Sequence, residues 1–157
     1  MTIILRLLHI ILGMMWVGSA LFAALFLAPA LQDSGPEGGK VMAALQKRGM
    51  MVAMPIFAIT TLITGFWMYF RDSGGMSTGW ASSSIGKAFG FGGGVALLAF
   101  VTGMAFVMPA MKKAVAATQA GQMAEAQRLR TRAGTVSKIV AVMLLVAAAA
   151  MAVARYV

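Results

Sequence analysis

The chain has 157 residues, of which 61% are hydrophobic and 11% charged, with a net charge of +9 and no cysteine. An average soluble domain carries roughly 25% charged residues, and a core of this size cannot hide so much apolar surface from water, so a water-soluble protein is excluded. The lack of cysteine excludes disulfides, thiolate metal sites and thiol catalysis. The basic residues lie between apolar runs, which makes them topology signals and contacts for anionic lipid, with no nucleic acid partner implied.

Four membrane spans are predicted. The first covers 3–31, long enough to cross a ~30 Å hydrocarbon core with tilt or overhang. Its apolar run is about twice that of a cleaved signal peptide, so it is read as a retained helix. It holds the only histidine of the chain, His9, together with Arg6, and Pro29 should bend or close it. The breaker-rich turn from Gln32 to Lys40 follows, and then a short surface helix over 40–49.

The second span covers 50–70. Pro55 lies in its first turns, where a missing N–H costs least, and Trp67 and Tyr69 close it as an interfacial aromatic belt would. A Ser/Gly-rich loop carrying Trp80 leads to the third span, 87–111. Gly86, Gly90 and Gly94 recur every four residues there and share a face, which admits another backbone or a flat ligand. The stretch 112–138 is the most basic, and its Ala, Gln, Met and Glu content favours a helix at the interface that meets anionic headgroups. The bland alternative is a solvated topogenic loop. The fourth span, 139–154, should pack tightly through its alanines.

Of the thirteen Lys and Arg residues, nine fall in 32–49 and 112–138. Arg6, Arg71, Lys87 and Arg155 fall on the other side. The positive-inside rule places the two basic loops in the cytoplasm and both termini outside, as expected of a multi-pass protein of the cell (inner) membrane. There is also a faint internal repeat. Phe26-Leu27-Ala28-Pro29-Ala30-Leu31 ends the first span, and Phe106-Val107-Met108-Pro109-Ala110-Met111 ends the third. The expected architecture is a single all-α domain, an integral membrane four-helix bundle of two similar hairpins; a chance match between apolar stretches is the alternative.

Polar residues inside an apolar span are costly and mark candidate sites. His9 shares a helix face with Gly13 and Trp16. Gly13 would leave room for a flat ring standing on the imidazole and Trp16 would flank it, an arrangement suited to a tetrapyrrole such as haem b held by one axial histidine. The bland reading of His9 is a histidine bonded to a carbonyl or the headgroup zone. Arg6 and Lys87, expected at similar depth, would snorkel to headgroups or pair with propionates. Among the 15 methionines, those in or near spans would also permit a copper(I) path. No carboxylate lies in a predicted span, and no phosphate loop, nucleophile elbow or His/Glu metal cluster is present.

The stretch Leu8-His9-Ile10-Ile11 with Trp16 and Gly18 resembles the opening helix of two related membrane groups, the copper-resistance protein D group and the haem-binding, bacterial protoporphyrinogen-oxidase-like group. Met42 to Arg48, Met54-Pro55, Thr64-Gly65-Phe66-Trp67-Met68, and Lys87 after Trp80 look like the oxidase group. The resemblance implies a four-helix bundle with His9 as haem ligand and Lys87 and Arg48 as polar partners. The oxidase group's fourth span carries an Arg, then Asn-Glu and a proline. Here the region reads Arg130-Thr131-Arg132-Ala133-Gly134-Thr135-Val136-Ser137, so the expectation is a relative that keeps the scaffold rather than the enzyme. Three functions follow as expectations. The first is tetrapyrrole binding through His9, with Gly13, Trp16, Arg6 and Lys87 around it. The second is a non-catalytic accessory subunit of a respiratory or photosynthetic complex, docking or self-associating through Gly86, Gly90 and Gly94. The third is copper handling.

Overall fold

A computed structural model describes residues 2–157; of Thr2 and Pro36 only the backbone is described. The described residues are helical nearly throughout and form no strand. In order they are α1 (Thr2–Phe22), a π turn (Ala23–Leu27), α2 (Ala28–Asp33), α3 (Gly35–Lys47), α4 (Met50–Asp72), the single turn α5 (Thr78–Ala81), α6 (Ser84–Thr102), a second π turn (Gly103–Val107), α7 (Met108–Gln119) and α8 (Met123–Val153), ending in a 3-10 turn (Ala154–Tyr156).

Four stretches are long and apolar enough to cross a membrane: Ile3–Asp33, Met50–Asp72, Ser84–Gln119 and Met123–Tyr156. The distribution of side chains agrees. Large apolar residues such as Ile4, Leu7 and Ile11 on α1, Leu97 and Leu98 on α6, and Val142 and Leu145 on α8 point outward, while the interior is built from Ala58, Ala96, Ala99, Ala141 and Ala147 around Leu144. In water such an exterior would aggregate. In lipid it is solvated, and helices associate by close approach of small residues. The chain is a multi-pass α-helical membrane protein in contact with the bilayer.

The bundle consists of two hairpins. α1 packs along α4 and α6 along α8, α4 lies beside α6 and α1 beside α8. The first and third long helices are therefore diagonal, and Trp16 meets Phe100 across the middle, ring centroids 6.4 Å apart and nearly perpendicular. α6 and α8 approach most closely at Gly92, where an added Cβ would stand 3.0 Å from the Ala147 carbonyl oxygen and 3.4 Å from the Ala150 Cβ.

The hairpins share one device. Each π turn leads directly into a short helix with proline as its second residue, Pro29 or Pro109. The Ala28 N–H bonds the Ala23 carbonyl and the Met108 N–H bonds the Gly103 carbonyl, the wide i→i+5 closure. Proline cannot donate to the carbonyl four residues back, and its ring crowds that oxygen. One wide turn relieves the crowding without ending the helix.

The basic segments differ most from expectation. The surface helix predicted over 40–49 is α3, which starts earlier, at Gly35, and ends where Gly49 takes φ 84°. The span-and-loop boundary at 112 does not exist, and α7 runs to Gln119. After a tight turn at Gly121 (φ 74°), α8 begins at Met123 and continues unbroken for 31 residues. At 1.5 Å per residue α8 is about 46 Å long, well beyond a ~30 Å core. Residues 112–138 are thus the far part of a helical hairpin that continues the two long helices. The reason is tertiary: Ala114, Ala117, Ala126 and Ala133 are buried between α7 and α8, and Arg130 donates to Thr118 Oγ1 at 2.7 Å across them.

Candidate functional site

His9 is half-buried against α4. Its Nδ1 lies 2.9 Å from the Thr61 carbonyl oxygen, so Nδ1–H donates, and Thr64 Oγ1 stands 3.4 Å away. Thr64 spends its own proton on the Thr60 carbonyl at 2.7 Å. Gly65 makes the contact possible, because an added Cβ would come within 2.7 Å of His9 Cε1. With Nδ1 protonated, the neutral ring carries its lone pair on Nε2, the tautomer that second-shell carbonyls impose on metal-ligating histidines.

The residues expected to join His9 are dispersed. Gly13 faces α4, with the Thr61 Cγ2 3.4 Å from an added Cβ. Trp16 is 6% exposed and locked in the core. Arg6 is exposed on α1, and Lys87 is exposed in the first turn of α6. Gly90, three residues beyond Lys87, sits against the Tyr69 hydroxyl, while His9 sits against Gly65. Helix α6 is also diagonal to α1. A tetrapyrrole enclosed by His9, Gly13 and Trp16 does not fit this packing, since both neighbours are filled by α4 and α6. Arg48 is exposed at the other end of α4, where it serves no group on His9.

The glycine face of α6 is likewise divided. Gly86 is buried against the Trp80 carbonyl and packs the α5–α6 turn, whose Ser83 hydroxyl accepts from the Gly86 N–H. Gly90 and Gly94 are exposed.

A cavity lies elsewhere, between the hairpins at the basic end, with a volume of about 230 Å³. Trp16, Ala58, Ala99 and Phe100 floor it. Both π turns wall it, through Ala23 and Leu27 on one side and Gly103, Met104 and Val107 on the other. Helix α3 crosses it with Gly38, Met42 and Gln46, one face at four-residue spacing. Helix α8 completes it with Arg130, Ala133, Gly134, Ser137 and Val140. Seven of its lining residues are methionine: Met42 of α3, Met50, Met51 and Met54 of α4, Met104 of the second π turn, and Met108 and Met111 of α7.

Two polar groups in this oily space are notable. Gln46 Nε2 is buried and has no hydrogen-bond partner among the described residues, although buried donors are rarely left so. The Arg130 guanidinium lies over Gly39, where an added Cβ would stand 2.9 Å from its terminal nitrogen. Its hydrogen-bond partner is the Thr118 hydroxyl, and among the described residues no carboxylate pairs with it. Gln32 and Ser137 complete the polar lining. A shallow groove shares Ala23, Leu27, Met50 and Met54 with the cavity and reaches the surface at Gly18 and Phe22.

Sequence reasoning found His9 but not its partners on α4, and it scattered the methionines. Thr61 is not singled out by the sequence, and Thr64 and Gly65 enter only through the family resemblance. Gln46 falls in the predicted surface helix and Arg130 in the basic stretch, with nothing to set either apart. No family model matches the sequence, and neither a curated protein nor a solved structure matches the chain. Among the described residues no group of His, Cys, Asp or Glu could hold a metal ion.

Proposed function

We propose that the protein is a membrane-embedded binding protein for a lipophilic molecule, held in the cavity between the two hairpins. The observation that carries this reading is the convergence of both π turns on one methionine-lined cavity that contains an unpartnered donor. π turns recur at functional sites, and flexible thioether side chains adapt to varied apolar ligands. The groove beside the first π turn would supply a lateral entrance from the bilayer, with Met50 and Met54 bordering both groove and cavity. The reading puts the protein in the cell (inner) membrane, basic end in the cytoplasm, where exposed Lys112, Lys113, Arg132 and Lys138 meet anionic headgroups. A reporter fused at Val157 that works only outside the cytoplasm, such as alkaline phosphatase, is then active; an inactive one reverses the orientation.

Native mass spectrometry of protein extracted from its membrane tests the site. Wild type retains one small lipophilic adduct. Gly103→Leu loses it without losing thermal stability, because an added Cβ at Gly103 meets nothing within 4 Å and the side chain fills the cavity. Equal adduct on both proteins, or none on wild type, overturns the reading.

A second reading is favoured by the tautomer of His9. With Nδ1–H held by the Thr61 carbonyl, this reading takes Nε2 as the axial ligand for a tetrapyrrole. The absorption spectrum of the same preparation decides it. A Soret band that His9→Ala abolishes supports the reading, and a colourless wild type reconstituted with haem without a spectral shift rejects it.

A further inference from the structure

We propose that the occupant of the cavity is an acidic amphiphile, a linear carboxylate of about ten carbons, with its carboxylate towards Arg130 and Gln46 and its chain towards Trp16. The inference rests on the reading of this cavity as a binding site and adds the chemistry of the ligand's polar end.

Charge supplies the first argument. Among the described residues Arg130 is the one cation on the wall of the cavity. Its hydrogen bond to the neutral Thr118 hydroxyl uses one of five donors, and Glu37 and Glu125 are paired with Lys40 and Arg128 instead. A guanidinium beside an oily cavity is best satisfied by a carboxylate, which it binds by charge-assisted, often bidentate hydrogen bonds. Gly39 leaves room for it to lie flat. Gln46 Nε2 adds a buried donor that an acceptor from outside the chain would satisfy. The surrounding end of the molecule bears the excess of Lys and Arg, so an anion is drawn there.

Shape and size supply the second. The polar groups lie at the basic end of the cavity, and the floor is Trp16, Ala58, Ala99 and Phe100. A head at one end and a chain reaching the floor is the arrangement this polarity fits. Cavities of about 150 Å³ accept benzene, so about 230 Å³ encloses roughly six or seven methylenes, and the last carbons of a ten-carbon chain enter the groove. A longer chain would leave through the groove at Phe22.

The test titrates delipidated wild-type protein in neutral detergent with decanoate and with decanol, following thermal stability and bound stoichiometry by native mass spectrometry. Decanoate binds at one equivalent and raises the Tm, with decanol at least about tenfold weaker, as expected for losing one hydrogen bond to a charged group. Arg130→Gln removes that preference. Thr118→Val keeps the charge, frees the guanidinium and preserves decanoate binding, which separates a charge role from a packing role if Arg130→Gln folds poorly. Lys138→Gln, an exposed cation on the same helix, changes nothing. Equal affinity for acid and alcohol in wild type, or a preference that survives Arg130→Gln, overturns the acidic ligand and leaves the cavity reading standing. Binding of neither probe overturns both.

Discussion

Gly38→Ala unfolds the turn that closes the basic end of the cavity. The added Cβ would fall on the Leu31 carbonyl oxygen, with the Leu31 Cα 3.0 Å away. These are backbone atoms, so no rotamer change relieves the contact and α3 must lift away from α2. Overpacking of side chains costs about 1–3 kcal/mol; a clash with rigid backbone belongs at or above the top of that range. The consequence reaches the site, because Gly38, Met42 and Gln46 share the face of α3 that lines the cavity. The expected result is a lower midpoint in detergent denaturation, faster proteolysis in Gly35–Lys47, and loss of the small-molecule adduct. Gly94→Ala is the control, since an added Cβ there meets nothing within 4 Å and alanine improves helix propensity. Equal stability of the two variants would show that α2 and α3 separate freely and that α3 is no fixed wall.

Leu144→Ala weakens the bundle as a whole. Leu144 is 1% exposed and is the largest apolar side chain fully buried, in a core otherwise made of alanines with Trp16 and Val140. In water a buried Leu→Ala substitution costs about 2–5 kcal/mol, partly from transfer and partly from the cavity left behind. In a bilayer the separated helices remain in hydrocarbon, so the transfer part shrinks and the lost packing dominates. A loss of about 2 kcal/mol is expected, the lower end of the range. Leu145→Ala, at an exposed neighbour facing lipid, should change little. Reversible SDS denaturation of both variants checks the pair. A larger loss at Leu145 would mean that this face of α8 is covered by protein.

The two outcomes bear on how the site works. The first π turn forms the wall between the cavity and the groove, and Met50 and Met54 border both. Rotamer changes of unbranched methionines cost little, so under the proposed function a chain would pass between bilayer and cavity without separating the hairpins. Leu144 and the alanine contacts would hold the hairpins together during that exchange. Stability and access are thus carried by different residues, and substitutions can separate them.

The sequence by itself determined the class and the spans. Composition excluded a soluble protein, apolar runs located four crossings, and Pro29 and Pro109 marked equivalent places in two hairpins. Those features are local, because lipid solvates each apolar helix independently of its neighbours. It also singled out His9, because a lone polar ring in hydrocarbon must find a partner. Only the tertiary structure decided what that partner is. Thr61 and Gly65 reach His9 through the pairing of α1 with α4, which depends on contacts far apart in the chain. The same holds for Arg130: whether a cation on α8 meets solvent or a cavity depends on how α7, α8 and α3 pack, and the run 112–138 reads alike in either case. The methionines have no regular spacing, yet seven converge because π turns and crossing helices bring separate faces to one place. Lipid fixes which segments are helices, and the shapes of small and large side chains fix how those helices meet.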